Sequence, residues 1–402
     1  MIQEIEIQAM ATSAASTTKP IARKISTNAA IRAVLANGPI SRADIAKLTG
    51  LSKQTVSEVV QDLVGDGWLR TSGRTDGRRG RSAVTYELNA RAGIAAVIDL
   101  GGVEIAAAIG DLAGTIVAEA QALADPRGGT HLVDQCDAIL RGLTAEIGAR
   151  AGDLRLVVLG SPGVFDAATG HIGAAPNVPG IDSIDMRLLL GERLGTTVLI
   201  ENDVNLAALG EQWRGHGTDV ANFAFITLGT GIGMGIVANG ALVRGARGAA
   251  GEIAYLPIGG DPFDPRGFTS GTFENAVGSV AFLRRYTGFG GPEGGALKDL
   301  FSAIGMGEPS ATAAVEETAR LVALAIAAIG ATLDPQIVIL GGSIGARPEL
   351  VDTIRRFLPR CTPYPPRLEI SRFGGRAALI GGLGVAVRHM HEDLFGIGLK
   401  DL

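Results

Sequence analysis

Two segments of this chain, IDLGGVEIAAAIG at 98–110 and FITLGTGIGMGIVANG at 225–240, each read as strand, glycine turn and strand again. Turns of this kind let backbone N–H groups approach phosphate oxygens closely. They serve equally well simply to turn a chain, so each alone leaves both uses open. One such turn in each half of a long α/β pattern predicts two related halves closing on a nucleotide or a polyol. The 58 glycines among 402 residues fit an α/β protein with many strand-to-helix turns, and the length allows two or three domains.

Several classes are excluded early. The longest apolar run, ARLVALAIAAIGATL at 319–333, stops at Asp334. A bilayer needs about 18 or more such residues, so this run reads as a buried core helix. Residues 1–20 hold two acids and no apolar h-region and read as a flexible tail, not a signal peptide. Cys136 and Cys361 form no ligand spacing. They are expected to be ordinary buried thiols of a cytoplasmic protein, with no membrane partner.

Charge divides the chain. Residues 20–90 carry eleven Lys/Arg against six Asp/Glu, although the whole chain has a formal net charge of −5. A basic module joined to an acidic one suggests two kinds of partner, one of them anionic. In the basic module, NAAIRAVLANG (28–38) spaces Ile31, Val34 and Leu35 on one helical face and ends at Gly38. SRADIAKLTG (41–50) opens on a Ser41 cap, and SKQTVSEVVQDLVGDG (52–67) on a Ser52 cap. The third helix turns Val56, Val59, Val60 and Leu63 inward. Its other face offers Ser52, Lys53, Gln54, Thr55 and Ser57 to base edges and phosphates. Two short strand patterns follow, WLRTSG and SAVTYEL, joined by RTDGRRGR. Helix-turn-helix plus hairpin is a winged helix-turn-helix, with Arg74, Arg78, Arg79 and Arg81 placed on the wing to meet DNA backbone or a minor groove.

From residue 92 the pattern changes. Three strands fill 93–120, a helix 130–150, and a strand runs from LRLVVLG into the Pro-Gly loop SPGVFD. TTVLIENDVNLAALGEQW is a strand entering a helix, with Asn202 and Asp203 at the junction. DPQIVILGGSIG closes on another strand and more glycines, Gly341 and Gly342.

A winged helix-turn-helix followed by DLGG, LGTGIGMGI, GAAGE and ILGGSIG resembles the ROK family of repressors and sugar kinases, over nearly all of the chain from residue 25. The resemblance implies a winged helix-turn-helix domain at 21–90 and, at 91–402, an actin-like, hexokinase-like domain of two ribonuclease-H-type α/β lobes. These lobes are expected at 91–205 with a C-terminal helix 376–395, and at 206–375. A fused winged helix marks a transcriptional regulator in such proteins. The implied partners are a double-stranded DNA operator and a sugar effector, with a homodimer or a dimer of dimers as the assembly.

The resemblance also assigns site residues. Asn177 in APNVPG, Asn202 and Asp203 in ENDVN, Glu252 in AAGEIAY and Glu274 in GTFEN match sugar-contacting positions. Asp203 holds the place of the kinases' general base and is catalytic only if the chain is a kinase. Gly101, Gly102, Gly229, Thr230, Gly231, Gly233, Gly341 and Gly342 match the phosphate loops. Two departures stand out. The zinc motif His-x9-Cys-x-Cys-x4-Cys-x-Glu is occupied here by Tyr255, Pro265, Gly267 and Thr272, so no metal or other cofactor is expected, and Tyr255 takes the histidine's place beside the sugar. Val103 replaces the threonine of DxGGT and removes a hydroxyl near the phosphates. These expectations make the chain a sugar-responsive DNA-binding regulator. The alternative is an ATP- and Mg²⁺-dependent sugar kinase with a fused DNA-binding domain, for which Asp203 argues and the two departures argue against.

Overall fold

The computed structural model describes residues 21–74, 82–166, 169–173, 175 and 177–396. The predicted tail 1–20 and the wing arginines Arg78, Arg79 and Arg81 lie outside them. The chain divides into two compact units, Met1–Ala92 with Arg388–Leu402, and Gly93–Val387.

In the first unit the three helices are α1 (Ile21–Asn37), α2 (Arg42–Thr49) and α3 (Lys53–Gly65). Helix α1 starts seven residues ahead of its apolar pattern, in a stretch where Arg23 pairs with Asp62 of α3. It ends before Gly38, whose φ of +64° no β-carbon obstructs. Ser41 and Asp44 form a capping box, Ser41 Oγ accepting from Asp44 N at 3.2 Å. Ser52 Oγ accepts from Thr55 N at 3.1 Å to start α3. Val56, Val59, Val60 and Leu63 are buried with Ile31, Val34 and Ile45, as their spacing predicts. β1 (Ile40–Ser41), β2 (Leu69–Arg74) and β3 (Val84–Leu88) form an antiparallel sheet in the order β1-β3-β2. This is a winged helix-turn-helix.

The second unit holds two five-stranded sheets. β4 (Ile94–Leu100), β5 (Glu104–Asp111) and β6 (Ile116–Leu123) make an antiparallel meander. α4 (Thr130–Glu146) then crosses to β7 (Leu154–Ser161), which is parallel to β4. The short pair β8 (Val164–Phe165) and β9 (Ile172–Gly173) precedes α5 (Met186–Leu194) and β10 (Thr197–Asn202), which is parallel to β7. α6 (Asp203–Arg214) leads to the second meander, β11 (Phe223–Leu228), β12 (Ile232–Ala238) and β13 (Ala241–Leu242). A helical stretch follows: α7 (Pro265–Ser270), α8 (Thr272–Val277), α9 (Ser279–Gly288), α10 (Leu297–Gly305) and α11 (Pro309–Leu333). The chain closes with β14 (Ile337–Gly341), α12 (Gly342–Gly345), α13 (Pro348–Phe357), β15 (Arg367–Ile370) and α14 (Ala377–Phe395).

The sheet orders are β10-β7-β4-β5-β6 and β13-β12-β11-β14-β15. Each is three antiparallel strands extended by two parallel ones, the same topology twice, as two ribonuclease-H-type halves require. The run 319–333 is the interior of α11, and Val322, Ala323, Ala325, Ile326 and Ile329 sit in the second half's core. Among the described residues no helix is long and apolar enough to cross a membrane. One expectation fails. Cys136 is buried, but Cys361 is exposed, because it sits on a surface turn after α13, where its Sγ donates to the Phe357 carbonyl at 3.6 Å.

α6 and α14 cross at glycines. A β-carbon on Gly381 would stand 1.7 Å from the Leu206 carbonyl oxygen, and one on Gly210 would stand 2.5 Å from that of Ala377. The two backbones therefore touch, and nothing flexible can yield. Gly381→Ala should destabilise the fold by about 1–3 kcal/mol or more, read as a lower urea midpoint with an unchanged m-value.

Candidate functional site

In the winged unit, Lys53 and Gln54 are exposed at the start of α3, and Arg74 is exposed at the end of β2. The other predicted contacts carry structural tasks as well. Ser52 and Thr55 share a hydroxyl–hydroxyl hydrogen bond of 2.8 Å within the cap. Ser57 Oγ accepts from Arg42 Nη1 at 3.2 Å. Arg42 lies over the Tyr86 ring, 5.1 Å from its centroid, and so braces α3 against the sheet. The sequence pattern did not single out Arg42; a cation at the first position of α2 was its only trace.

In the second unit, Asn177, Asn202, Asp203, Glu252, Tyr255 and Glu274 all line one cleft of about 790 Å³. Gly101, Gly102, Gly229, Thr230, Gly231, Gly233 and Gly342 line it too. Gly341 does not; it is buried behind the wall, against the Phe225 ring.

Each polar side chain is held by a local cause. Asn202 caps α6, its Oδ1 accepting from Val204 N and Asn205 N at 3.0 Å each, while its Nδ2 donates to the Gly163 carbonyl at 3.1 Å. That leaves Asn202 a single free amide hydrogen, less than its predicted share in sugar contact. Asp203 Oδ1 also accepts from Val204 N, at 2.8 Å, while the residue lines the cleft. Gly251 has φ +97°, and a β-carbon there would meet the Met234 carbonyl oxygen at 1.8 Å. This tight approach to β12 presents Glu252 to the cleft. Glu274 Oε2 accepts from Ile232 N at 2.9 Å, which ties α8 to the second glycine turn. Asn177 rests directly on Gly102 of the first.

Among the described residues no Lys, Arg or His lines the cleft. Burial raises the pKa of Asp203, against the pull of the backbone N–H groups of Val204 and of Asp203 itself. Burial and then the Asp203 charge raise Glu252; burial and then the Glu252 charge raise Glu274, against the pull of the Ile232 N–H. Asp99, at the end of β4, is pushed up to about 7 by burial and the Asp203 charge. Asp99 is the first residue of the DLGG motif. It lines an adjoining cavity with Gly101, Gly102, Val103 and Asn177.

The positions that hold zinc in the resemblance do not fit a metal here. Pro265 opens α7, Asp264 caps it by accepting from Arg266 N at 2.9 Å, and Gly267 packs against Thr272. Among the described residues no group of three His, Cys, Asp or Glu stands ready for a metal ion.

The ROK family profile matches residues 95–386, and a MarR family profile matches 29–79. The chain belongs to the ROK family. A xylose repressor of Caldicellulosiruptor bescii is 24% identical over 386 residues, covering 90% of this chain and 94% of that protein. A glucokinase of Halalkalibacterium halodurans is 31% identical over 309 residues, 71% of this chain and 92% of the enzyme. In structure, a ROK transcriptional regulator homologous to the E. coli MLC protein superposes with a TM-score of 0.74 at 22% identity, over 93% of this chain and 98% of its own. The winged-helix and ROK folds are thus both present.

The ROK cleft has a pH signature of its own. Folding raises the Asp99 pKa from about 3.9 to about 7, so the proton it holds stabilises the fold fully below pH 4. That contribution is lost as pH climbs through 7, where a buried anion must form. Asp99→Asn should therefore raise the melting temperature at pH 8 more than at pH 5, a difference that thermal melts at the two pH values read directly.

Proposed function

We propose that this chain is a sugar-responsive DNA-binding transcriptional regulator, a repressor whose grip on an operator is modulated by a monosaccharide or derivative in the ROK cleft. One observation carries the reading. The similarity to the xylose repressor runs over 90% of the chain and includes the winged unit, whereas that to the glucokinase runs over 71%. The winged unit is a helix-turn-helix with exposed Lys53, Gln54 and Arg74, suited to a major groove and a phosphate backbone.

The cleft suits a polyol. Asp203, Glu252 and Glu274 offer acceptors, and Asn177 offers both a donor and an acceptor, so a ligand rich in hydroxyls satisfies them and one without hydroxyls leaves them stranded. Tyr255 lines the same wall, half-exposed, and contacts the sugar where relatives use histidine. Sugar binding shifts the balance between DNA-competent and incompetent arrangements of a homodimer or dimer of dimers. Paired wings and recognition helices then read half-sites about one or two helical turns apart. The protein works in the cytoplasm, with no membrane partner.

A second reading, an ATP-dependent sugar kinase, has specific support in Asp203 and in the likeness to the glucokinase. Backbone groups at Gly101, Gly102, Gly229 and Gly231 would hold ATP phosphates, and Mg²⁺ would neutralise their charge. Val103, exposed at the turn, supplies no hydroxyl there.

Operator binding tests the main reading. Replacing Arg78 and Arg79 with alanine should weaken binding to operator DNA and reduce the slope of log K against log salt by about 2, without altering sugar affinity. A coupled assay with ATP, Mg²⁺ and a hexose panel separates the two readings: turnover abolished by Asp203→Asn would establish the kinase. Tyr255→Ala should weaken sugar binding in calorimetry; unchanged affinity would remove Tyr255 from the site.

A further inference from the structure

Asn205 lies one turn into α6, is only 3% exposed, and lines the cleft. Its Oδ1 has no hydrogen-bond partner among the described residues. Its Nδ2 donates to Glu201 Oε1 at 2.9 Å. The same Glu201 oxygen accepts from Asn202 N at 3.0 Å, and Glu201 Oε2 accepts from Arg244 Nε at 2.7 Å. Glu201 ends β10 in the first sheet, while Arg244 follows β13 in the second, so the pair spans the two halves.

This arrangement decides which way the Asn205 amide faces. An ionised carboxylate held by an arginine can only accept, so Asn205 must present its NH₂ to Glu201. Turning the amide over would set two oxygens against each other. The carbonyl is therefore fixed on the other side, as a buried acceptor with nothing to accept. Such a group costs stability until a donor reaches it. An isolated structural asparagine would gain from being replaced. One in the wall of a cleft lined with further acceptors has a different use.

We infer that Asn205 is a specificity-determining residue of the cleft, whose Oδ1 accepts a hydrogen bond from a hydroxyl of the bound sugar. The inference rests on the sugar-binding reading of the same cleft and adds a contact to it. Arg244 and Glu201 act as positioning residues, holding the amide in the accepting orientation before the ligand arrives. Pre-orientation of this kind spares the ligand the cost of ordering the group itself.

The test uses the full chain. D-glucose, D-xylose, D-glucosamine and N-acetyl-D-glucosamine are titrated calorimetrically into wild type and Asn205→Leu, and both proteins are unfolded in urea without sugar. Leucine is close in size and removes the unpaired acceptor. The variant is expected to unfold at the same or a higher urea concentration, yet to bind the wild type's sugar about ten- to a hundredfold more weakly. A purely structural asparagine would leave the sugar affinity untouched. Should Asn205→Leu fail to fold, Glu201→Gln carries the test. Its amide can accept or donate, so Asn205 is free to turn over and affinity should fall severalfold. Wild type that binds a sugar, with variants that bind it equally well, overturns the assignment and leaves a trapped water as the carbonyl's partner. Wild type that binds none of the four overturns the sugar reading of the cleft, and this inference with it.

Discussion

The start of α6 is the point on which the second unit's site depends. Asn202 satisfies two orphan N–H groups at the helix terminus and anchors itself to Gly163 on the neighbouring loop. Asp203 shares in the cap, its Oδ1 accepting from Val204 N at 2.8 Å, and lines the cleft as well. Glu201, one residue before Asn202, reaches Asn205 and Arg244. Three consecutive residues thus divide bracing, capping and the lining of the cleft among them. The tight crossing of α6 and α14 at Gly210 and Gly381 keeps the body of this helix from shifting.

The cleft that results is crowded with like charge. Asp99, Asp203, Glu252 and Glu274 perturb one another in sequence and, among the described residues, meet no lining cation. Such crowding is a cost to the empty protein, of a kind that clusters at functional sites. The repeated sheet topology explains how the groups converge: each half brings a glycine turn to the cleft from the first hairpin of its meander, and acidic residues follow from the adjoining segments.

Local chemistry was legible in the sequence where one residue type has one physical task. Ser41 and Ser52 announced their helices, the valines of α3 announced the core, and the glycine turns announced the meanders. Legibility failed where the task is set by a neighbour distant along the chain. Asn205 looks like any polar helix residue until Glu201 and Arg244 are seen to fix its amide. Asp99 looks like a strand terminus until Asp203 stands nearby. Gly341 shares a motif with Gly342 but faces the other way, since successive positions at a strand end point to opposite sides. Cys361 was expected inside on composition alone, and composition carries no information about which turn a residue occupies.

The two cysteines differ sharply in reach. Burial pushes the Cys136 thiol up to about 12, whereas Cys361 is open to solvent. A maleimide dye will therefore attach at one place without any engineering. The native chain already carries a single labelling handle on the second unit, remote in sequence from both glycine turns, from which fluorescence can follow the molecule as it takes up its ligands.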